Sequence, residues 1–167
     1  MTGFLDECSP QTTANTQRLW SFRKPRKYTN TTKMRANTFG FYSLNGVSVI
    51  DFKENSKKES VCEFLEAIRE DNPKGEIILV LDNFRSHWAN KTREIAKKLG
   101  ITLVFLPPYS PDLNPIEYIW ESIKRALSAL LIGSVDQLKG VIRGLFKQLS
   151  KKLSFAYSWM HKFLYQL

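Results

Sequence analysis

The chain has 167 residues, 43% of them hydrophobic, which is enough for a single globular domain with a buried core. It contains no apolar run of about 18 residues, and its N-terminus has no basic segment followed by an apolar one, so the sequence predicts neither a membrane span nor a signal peptide. The two cysteines, Cys8 and Cys62, belong to no CxxC or Cys/His motif and are typical of a cytoplasmic protein with reduced thiols.

The net charge of +9 is distributed unevenly. Residues 1–50 carry seven basic and two acidic side chains, residues 51–121 carry ten and thirteen, and residues 122–167 carry eight and one. Two basic flanks around a mildly acidic centre suit a polyanion held around an acidic metal site. An ordinary soluble protein with basic faces is the alternative that charge alone leaves open.

The first half of the chain predicts a short strand, a long loop, a hairpin and a helix. Residues 3–8 are expected to form the strand, and residues 9–31, rich in Thr, Asn, Arg and Lys, the loop. Asn45-Gly46 lies between two β-rich runs, 33–44 and 46–53, and is the strongest short-range hairpin signal. Residues 58–71 show helical periodicity.

The second half alternates strands and helices. Residues 76–82 and 101–106 are apolar runs typical of strands buried on both faces, and the helix predicted over 88–99 between them implies a right-handed parallel crossover. Further helices are expected after Pro115 and over 134–153, with an aromatic-rich end that packs back onto the domain. A hairpin followed by parallel crossovers predicts an α/β fold with a mixed sheet.

Carboxylates follow three of the apolar segments. Asp82 ends the run 77–81, Glu117 follows a Pro-rich turn, and 34 residues separate the two. Asp6 and Glu7 follow Phe4-Leu5, and because neighbouring strand residues point to opposite faces, only one of the pair can join the others. Oxygen ligands are what Mg²⁺ prefers, and two such ions can clamp an in-line phosphoryl displacement.

Glu117 also has a structural interpretation. Asn114 is a good N-cap and Pro115 is favoured as the first helical residue, so Glu117 occupies the position of a capping-box glutamate. Helical spacing puts Glu117 at the edge of the apolar stripe, from which it can lean over the sheet toward Asp82. Capping and metal ligation both remain open on the helix pattern alone.

These segments carry a family resemblance. The chain resembles the catalytic core of a DDE transposase, in the superfamily that joins the mariner elements to insertion sequences of the 630 type. The matching stretches are Leu81-Asp82-Asn83 with His87, and Phe105 to Glu117 with Trp120 and Lys124. The resemblance implies an α/β RNase H-like fold, a mixed central sheet flanked by helices. It implies that Asp6, Asp82 and Glu117 are catalytic and hold Mg²⁺ or Mn²⁺, in two ions.

The resemblance implies metal-dependent DNA cleavage at element ends followed by strand transfer. A structure-selective nuclease on the same fold and a non-catalytic DNA-binding remnant are the alternatives. Because the first carboxylate is residue 6, we expect one catalytic domain, with a core of about residues 1–130, a basic helical extension over about 131–167 and no helix-turn-helix region upstream. A homodimer on DNA, a separately encoded DNA-recognition subunit and a nucleoid-associated location in a prokaryotic cytoplasm are the corresponding expectations.

Basic residues interleaved with Trp20, Phe22 and Tyr28 form the candidate DNA-binding segment, although a solvated ribbon has the same composition. The candidates are Arg18, Arg23, Lys24, Arg26, Lys27, Lys33 and Arg35. Asn83 and His87 are candidates for a supporting role, Asn83 on a metal-bound water and His87 on a phosphate or the active-site loop. A structural hydrogen bond is the alternative for His87. The stripe Lys139, Arg143, Lys147 and Lys151 can follow DNA or an acidic surface, or be solvated.

Overall fold

The fold is a five-stranded sheet with helices on both faces. The computed structural model describes residues 1–13, 22–24 and 28–163. The strands are β1 (Thr2–Cys8), β2 (Thr38–Ser43), β3 (Val49–Phe52), β4 (Ile77–Leu81) and β5 (Ile101–Phe105). The helices are α1 (Lys58–Asp71), α2 (Asn90–Lys98), α3 (Ile116–Leu127), α4 (Val135–Leu149) and α5 (Tyr157–Phe163), with short 3₁₀ turns at Pro111–Leu113 and Leu153–Phe155.

The sheet is mixed, as predicted. Its order is β3-β2-β1-β4-β5, with β1 antiparallel to β2 and parallel to β4, and β4 parallel to β5. The hairpin at Asn45-Gly46 and the helix over 58–71 are confirmed. Among the described residues, no helix is both long enough and apolar enough to cross a membrane.

The prediction that both parallel strands are buried on both faces is wrong. Ile78 of β4 is 39% exposed and Val104 of β5 is 43% exposed. The helices α3 and α4 cover this face around Phe4 and Val80, and β5 lies at the edge of the sheet. The outer part of the face therefore stays open to solvent.

Alternation along β1 divides the core in two. Phe4 packs with α3 and α4 on one face of the sheet, and Leu5 packs with α1 and α2 on the other. The same period of two sends Asp6 toward the α3 side and Glu7 toward the α2 side. Since α4 contributes Leu138 and Phe146 to the same cluster as Phe4, the basic C-terminal helix is part of this core.

A glycine sets how closely α3 approaches the sheet. Gly40 of β2 pairs with Asp6 of β1 and lies under the indole of Trp120 from α3. A Cβ at position 40 would be 2.5 Å from Cζ2 of Trp120, closer than any ordinary contact. The helix that carries Glu117 can therefore lie directly against the strand pair that carries Asp6.

The C-terminal segment packs back onto the domain, as predicted. The hydroxyl of Tyr42 donates to the carbonyl of Lys152 at 2.7 Å, and the rings of Phe4 and Trp159 meet edge to face at 4.8 Å. Three of the candidate DNA-binding residues, Arg18, Arg26 and Lys27, lie outside the described residues, together with Trp20.

Candidate active site

Asp6 is the most buried of the predicted carboxylates. It lies near the end of β1, and its side chain is 8% exposed. Burial raises the pKa of Asp6 well above its usual range, and the negative charges of Glu117, Glu7 and Asp82 raise it further. A carboxylate kept in such a place costs free energy unless a cation joins it.

Asp82 follows directly after β4 and is held by its own loop. Its Oδ1 accepts hydrogen bonds from the backbone amide of Phe84 at 3.0 Å and from Nδ1 of His87 at 2.8 Å. Partial burial acts to raise the pKa of Asp82, but these two bonds lower it below the usual value. With Oδ1 engaged in this way, Oδ2 is the oxygen left for a ligand.

His87 links Asp82 to a residue that the sequence reasoning treated only as an alternative to Asp6. Its ring is fully buried, and its Nε2 lies 3.0 Å from Oε1 of Glu7. Burial alone would lower the pKa of His87, but the hydrogen bonds and charges of Asp82 and Glu7 raise it to about 10. The ring is therefore an imidazolium between two carboxylates, and Glu7 supports Asp82 from the opposite face of the sheet.

Glu117 is the second residue of α3 and is partly buried. Burial raises its pKa, Lys124 acts to lower it, and Glu121 and Asp82 raise it again. The predicted capping box is wrong for the described chain, because α3 begins at Ile116 with Pro115 as its cap residue and no side chain caps it. The side-chain oxygen of Asn114 accepts no hydrogen bond, and only its backbone carbonyl accepts from the Glu117 amide, at 3.0 Å.

Asn114 is instead a buried polar group without a partner. Its side chain is 3% exposed, and its Oδ1 has no hydrogen-bond partner within the described structure. It lines the same cleft as Asp6, Asp82 and Glu117. Because buried amide oxygens are almost always paired, this oxygen is available to a water, a donor or a cation that enters the cleft.

The three predicted carboxylates line one cleft of about 460 Å³. Among residues 1–13, 22–24 and 28–163, no three His, Cys, Asp or Glu side chains stand close enough to form a ready-made metal centre. Mg²⁺ keeps several waters and is commonly held by one or two protein carboxylates plus substrate phosphate. The oxygen-only donors of the cleft, with two carboxylates of raised pKa and one orphaned amide oxygen, fit such an ion.

The cleft continues away from the carboxylates toward basic residues. Beyond Asp6 and Asp82 it passes Ser9, Asn37 and Ser56, which also border a second depression. That depression is lined by Arg35, Lys139, Lys53 and Glu54, among others. Lys53 is neutralised by Asp51 and Glu63 at 3.0 and 2.9 Å. The cations that remain to face the groove are Arg35 and Lys139, with Glu54 opposing them.

The other sequence candidates lie around these features. Lys24 and Lys33 are exposed, as is Arg23, which has an interaction partner in the described chain. The amide groups of Asn83 are both engaged, its nitrogen with the carbonyl of Leu106 and its oxygen with Nε1 of Trp88 at 3.0 Å. In this arrangement Asn83 links its loop to the residue directly after β5.

A larger cleft of about 600 Å³ runs along the edge strand β5. It contains Glu76, Arg93 and Lys97 but none of the predicted site residues. The cleft with the larger volume is therefore not the one that the three carboxylates line, and the chemistry of the lining side chains is the better guide to the site.

Comparison with known proteins decides the family. The model of the DDE superfamily endonuclease family matches residues 2–139. The chain belongs to this family. The Tc1 transposase of Caenorhabditis elegans is 34% identical over 55 residues, covering 33% of this chain and 20% of that protein.

Solved structures with the same fold come from the Mos1 transposase. The paired-end complex with the left transposon end has a TM-score of 0.73 at 21% identity, covering 96% of this chain and 51% of that one. The Mos1 catalytic domain has a TM-score of 0.65 at 20% identity, covering 96% and 76%. The predicted RNase H-like fold is confirmed, and the chain spans about half the length of the full Mos1 transposase chain. Mos1 paired-end complexes have been solved with Mg and with Mn.

Proposed function

We propose that this chain is the catalytic domain of a DNA transposase, which cleaves phosphodiester bonds and transfers DNA strands with Mg²⁺ or Mn²⁺. The observation that carries the proposal is the single cleft that Asp6, Asp82 and Glu117 line together, although three different elements supply them. Membership of the DDE superfamily endonuclease family supports it, as do the Mg and Mn complexes of Mos1.

The residues of the chain divide the work. Asp6, Asp82 and Glu117 hold the cation, and the Glu7–His87 pair keeps Oδ1 of Asp82 fixed and leaves Oδ2 for the cation. When bound, two divalent ions would activate the attacking oxygen and stabilise the leaving oxygen of an in-line displacement. Asn114 offers its orphaned Oδ1 to a water or hydroxyl group in the cleft.

The DNA path follows the groove. Arg35 and Lys139 face its far end, so we place the sugar–phosphate backbone over Ser9, Asn37 and Ser56 between these cations and the carboxylates. The segment that contains Arg18, Arg23, Lys24, Arg26, Lys27 and Lys33 adds further phosphate contacts. The protein in which this domain acts would also have to recognise the element ends and assemble into a homodimer on DNA. A separately encoded subunit is one way to supply the recognition.

A nicking assay with Glu117→Gln tests the proposal. The variant should lose Mn²⁺-dependent nicking of supercoiled plasmid, because the ion loses a charged ligand. The free energy of unfolding without metal should stay within about 1 kcal/mol of wild type or rise, since Glu117 makes no capping bond and feels repulsion from Glu121 and Asp82.

Glu121→Gln is the matched control, an exposed glutamate one turn further along α3. It should nick at the wild-type rate. If wild type binds DNA but neither wild type nor Glu121→Gln nicks it with Mg²⁺ or Mn²⁺, a non-catalytic DNA-binding protein becomes the better description. Full activity in Glu117→Gln would falsify the role given to this carboxylate.

The groove makes a second quantitative prediction. Arg35→Ala combined with Lys139→Ala should reduce the slope of log K against log salt by about 2 and weaken binding to all duplex sequences alike. Fluorescence anisotropy over a salt series, in Ca²⁺ to prevent cleavage, measures the slope. Lys147→Ala with Lys151→Ala removes the same charge from exposed positions outside the groove and should change the slope less. Equal slopes for the two double variants would remove the groove from the DNA path.

A further inference from the structure

Two aromatic rings stand exposed at the mouth of the carboxylate cleft. Phe84, two residues after Asp82, is 50% exposed, and Tyr109, in the loop between β5 and α3, is fully exposed. Both line the cleft that contains Asp6, Asp82 and Glu117. Other large hydrophobic residues are also exposed within the described part of the chain, and the feature to be explained is that these two rings stand beside the carboxylates.

Tyr109 is held in a strained backbone conformation. Its φ is +58°, and it is the one non-glycine residue among those described with a positive φ. Gly or Asn adopts this conformation at lower cost. Because the ring of Tyr109 is fully exposed, packing within the domain does not repay the strain. Something that binds at the cleft is therefore the candidate for a compensating contact.

The loop that carries Tyr109 is stiff. Pro107, Pro108 and Pro111 fix three φ angles around it, and the carbonyl of Ser110 accepts from the amide of Leu113 at 3.1 Å. Phe84 is fixed as well, since its amide donates to Asp82 and its ring packs edge to face against the buried ring of His87, with 6.0 Å between the ring centroids. The ring of Phe84 and the backbone that carries Tyr109 are therefore in place before any ligand arrives, which lowers the entropy cost of binding.

We infer that Phe84 and Tyr109 form a stacking site for one unpaired base of the DNA strand whose phosphate lies over the carboxylates. The inference rests on the proposed function. Bases inside a duplex have no free face, so a base can meet these rings only after leaving the stack, and any of the four bases can do so because each has a π-face. The acidic floor of the cleft disfavours an acidic peptide as the occupant, and the adjoining groove with Arg35 and Lys139 suits a phosphodiester strand.

Equilibrium binding separates the base from the backbone. The probes are an oligo-dT strand and an abasic strand of equal length and charge, measured in Ca²⁺ without cleavage. Wild type should bind oligo-dT about tenfold more tightly than the abasic strand, the contribution expected of one base–aromatic stack. Tyr109→Ala should bind both strands with the abasic affinity, whereas Tyr109→Phe should keep the wild-type preference because the ring remains.

The control variant is Tyr157→Ala, which removes a 64% exposed tyrosine outside the cleft and should keep the preference. Photocrosslinking with 5-iodouracil in the oligo-dT strand, followed by mass spectrometry, should give an adduct on Tyr109 or Phe84. Thermal unfolding shows whether each variant is folded. Alanine keeps the Cβ and therefore the strain of the positive φ, but the ring of Tyr109 is fully exposed, so its removal loses no packing and the alanine variant should fold.

Several results would overturn the stacking site. They are equal binding of both strands by wild type, a preference that persists in Tyr109→Ala and in Phe84→Ala, or adducts only at other residues. A change in the sedimentation of the DNA-free protein on Tyr109→Ala, without a change in base preference, would instead make these rings a contact between copies of the chain. If wild type shows the preference but never nicks DNA, the proposed function fails and the stacking site stands.

Discussion

Asp6→Asn should abolish nicking and at the same time stabilise the metal-free protein. The substitution removes a negative charge that the cation needs, and a loss of at least about a thousandfold in rate is expected for a ligand of the reacting centre. It also removes a buried carboxylate that lies among the charges of Glu117, Glu7 and Asp82. The free energy of unfolding in EDTA at neutral pH should rise by on the order of 1 kcal/mol.

The effects on activity and on stability have opposite signs because the carboxylate of Asp6 binds the cation but destabilises the metal-free fold. Urea unfolding in EDTA gives the stability, and plasmid nicking with Mn²⁺ gives the activity. Mn²⁺ should raise the midpoint of thermal unfolding of wild type and leave that of Asp6→Asn almost unchanged. An Asp6→Asn protein that is less stable than wild type and still stabilised by Mn²⁺ would mean that Asp6 makes a structural contact instead.

His87→Leu should lower both stability and metal affinity. The buried imidazolium joins Glu7 and Asp82 at 3.0 and 2.8 Å, so its loss leaves two carboxylates facing an apolar side chain. Breaking one partner of a buried pair costs about 3–5 kcal/mol, and the half-exposed Asp82 reduces this to about 2–4 kcal/mol. With Asp82 free to rotate, Mn²⁺ affinity should fall roughly 10- to 100-fold.

Glu7→Gln is the informative companion to His87→Leu. The amide oxygen of Gln can still accept from Nε2 of His87, so orientation is retained and only charge is lost. Its effect on Mn²⁺ affinity should be well below that of His87→Leu. Isothermal titration with Mn²⁺ measures both. If His87→Leu lowers the unfolding free energy but binds Mn²⁺ as wild type does, His87 is a core residue and has no influence on the orientation of Asp82.

The elements and the sheet could be predicted because local patterns determine them. The spacing of Val61, Phe64, Leu65 and Ile68 fits one helix face, and Asn45-Gly46 fits one turn. The period of a strand predicted that only one of Asp6 and Glu7 lies on the same face as the other carboxylates, but it did not predict which one. Which face each residue takes depends on what covers the sheet, and that is information from other parts of the chain.

The features that the sequence did not predict depend on contacts between distant parts of the chain. Glu7 and His87 are 80 residues apart and meet only because β1 and β4 are neighbours in the sheet. A His five residues after Asp82 was the available signal, but nothing local indicated its second partner. Asn114 looked like a cap because Asn before Pro commonly is one; in the structure its side-chain oxygen is buried beside the cleft, without a partner.

The glycine under Trp120 has a consequence for the chemistry of the cleft. Trp120 lies one helical turn beyond Glu117, and Gly40 is the registered neighbour of Asp6. Because position 40 has no side chain, the two elements that carry these carboxylates can pack close together. Any side chain there would push the indole away, and Glu117 would move with it. Gly40 thus helps to set the distance between Asp6 and Glu117, although it has no reactive atom of its own. That distance limits which ion the cleft can hold.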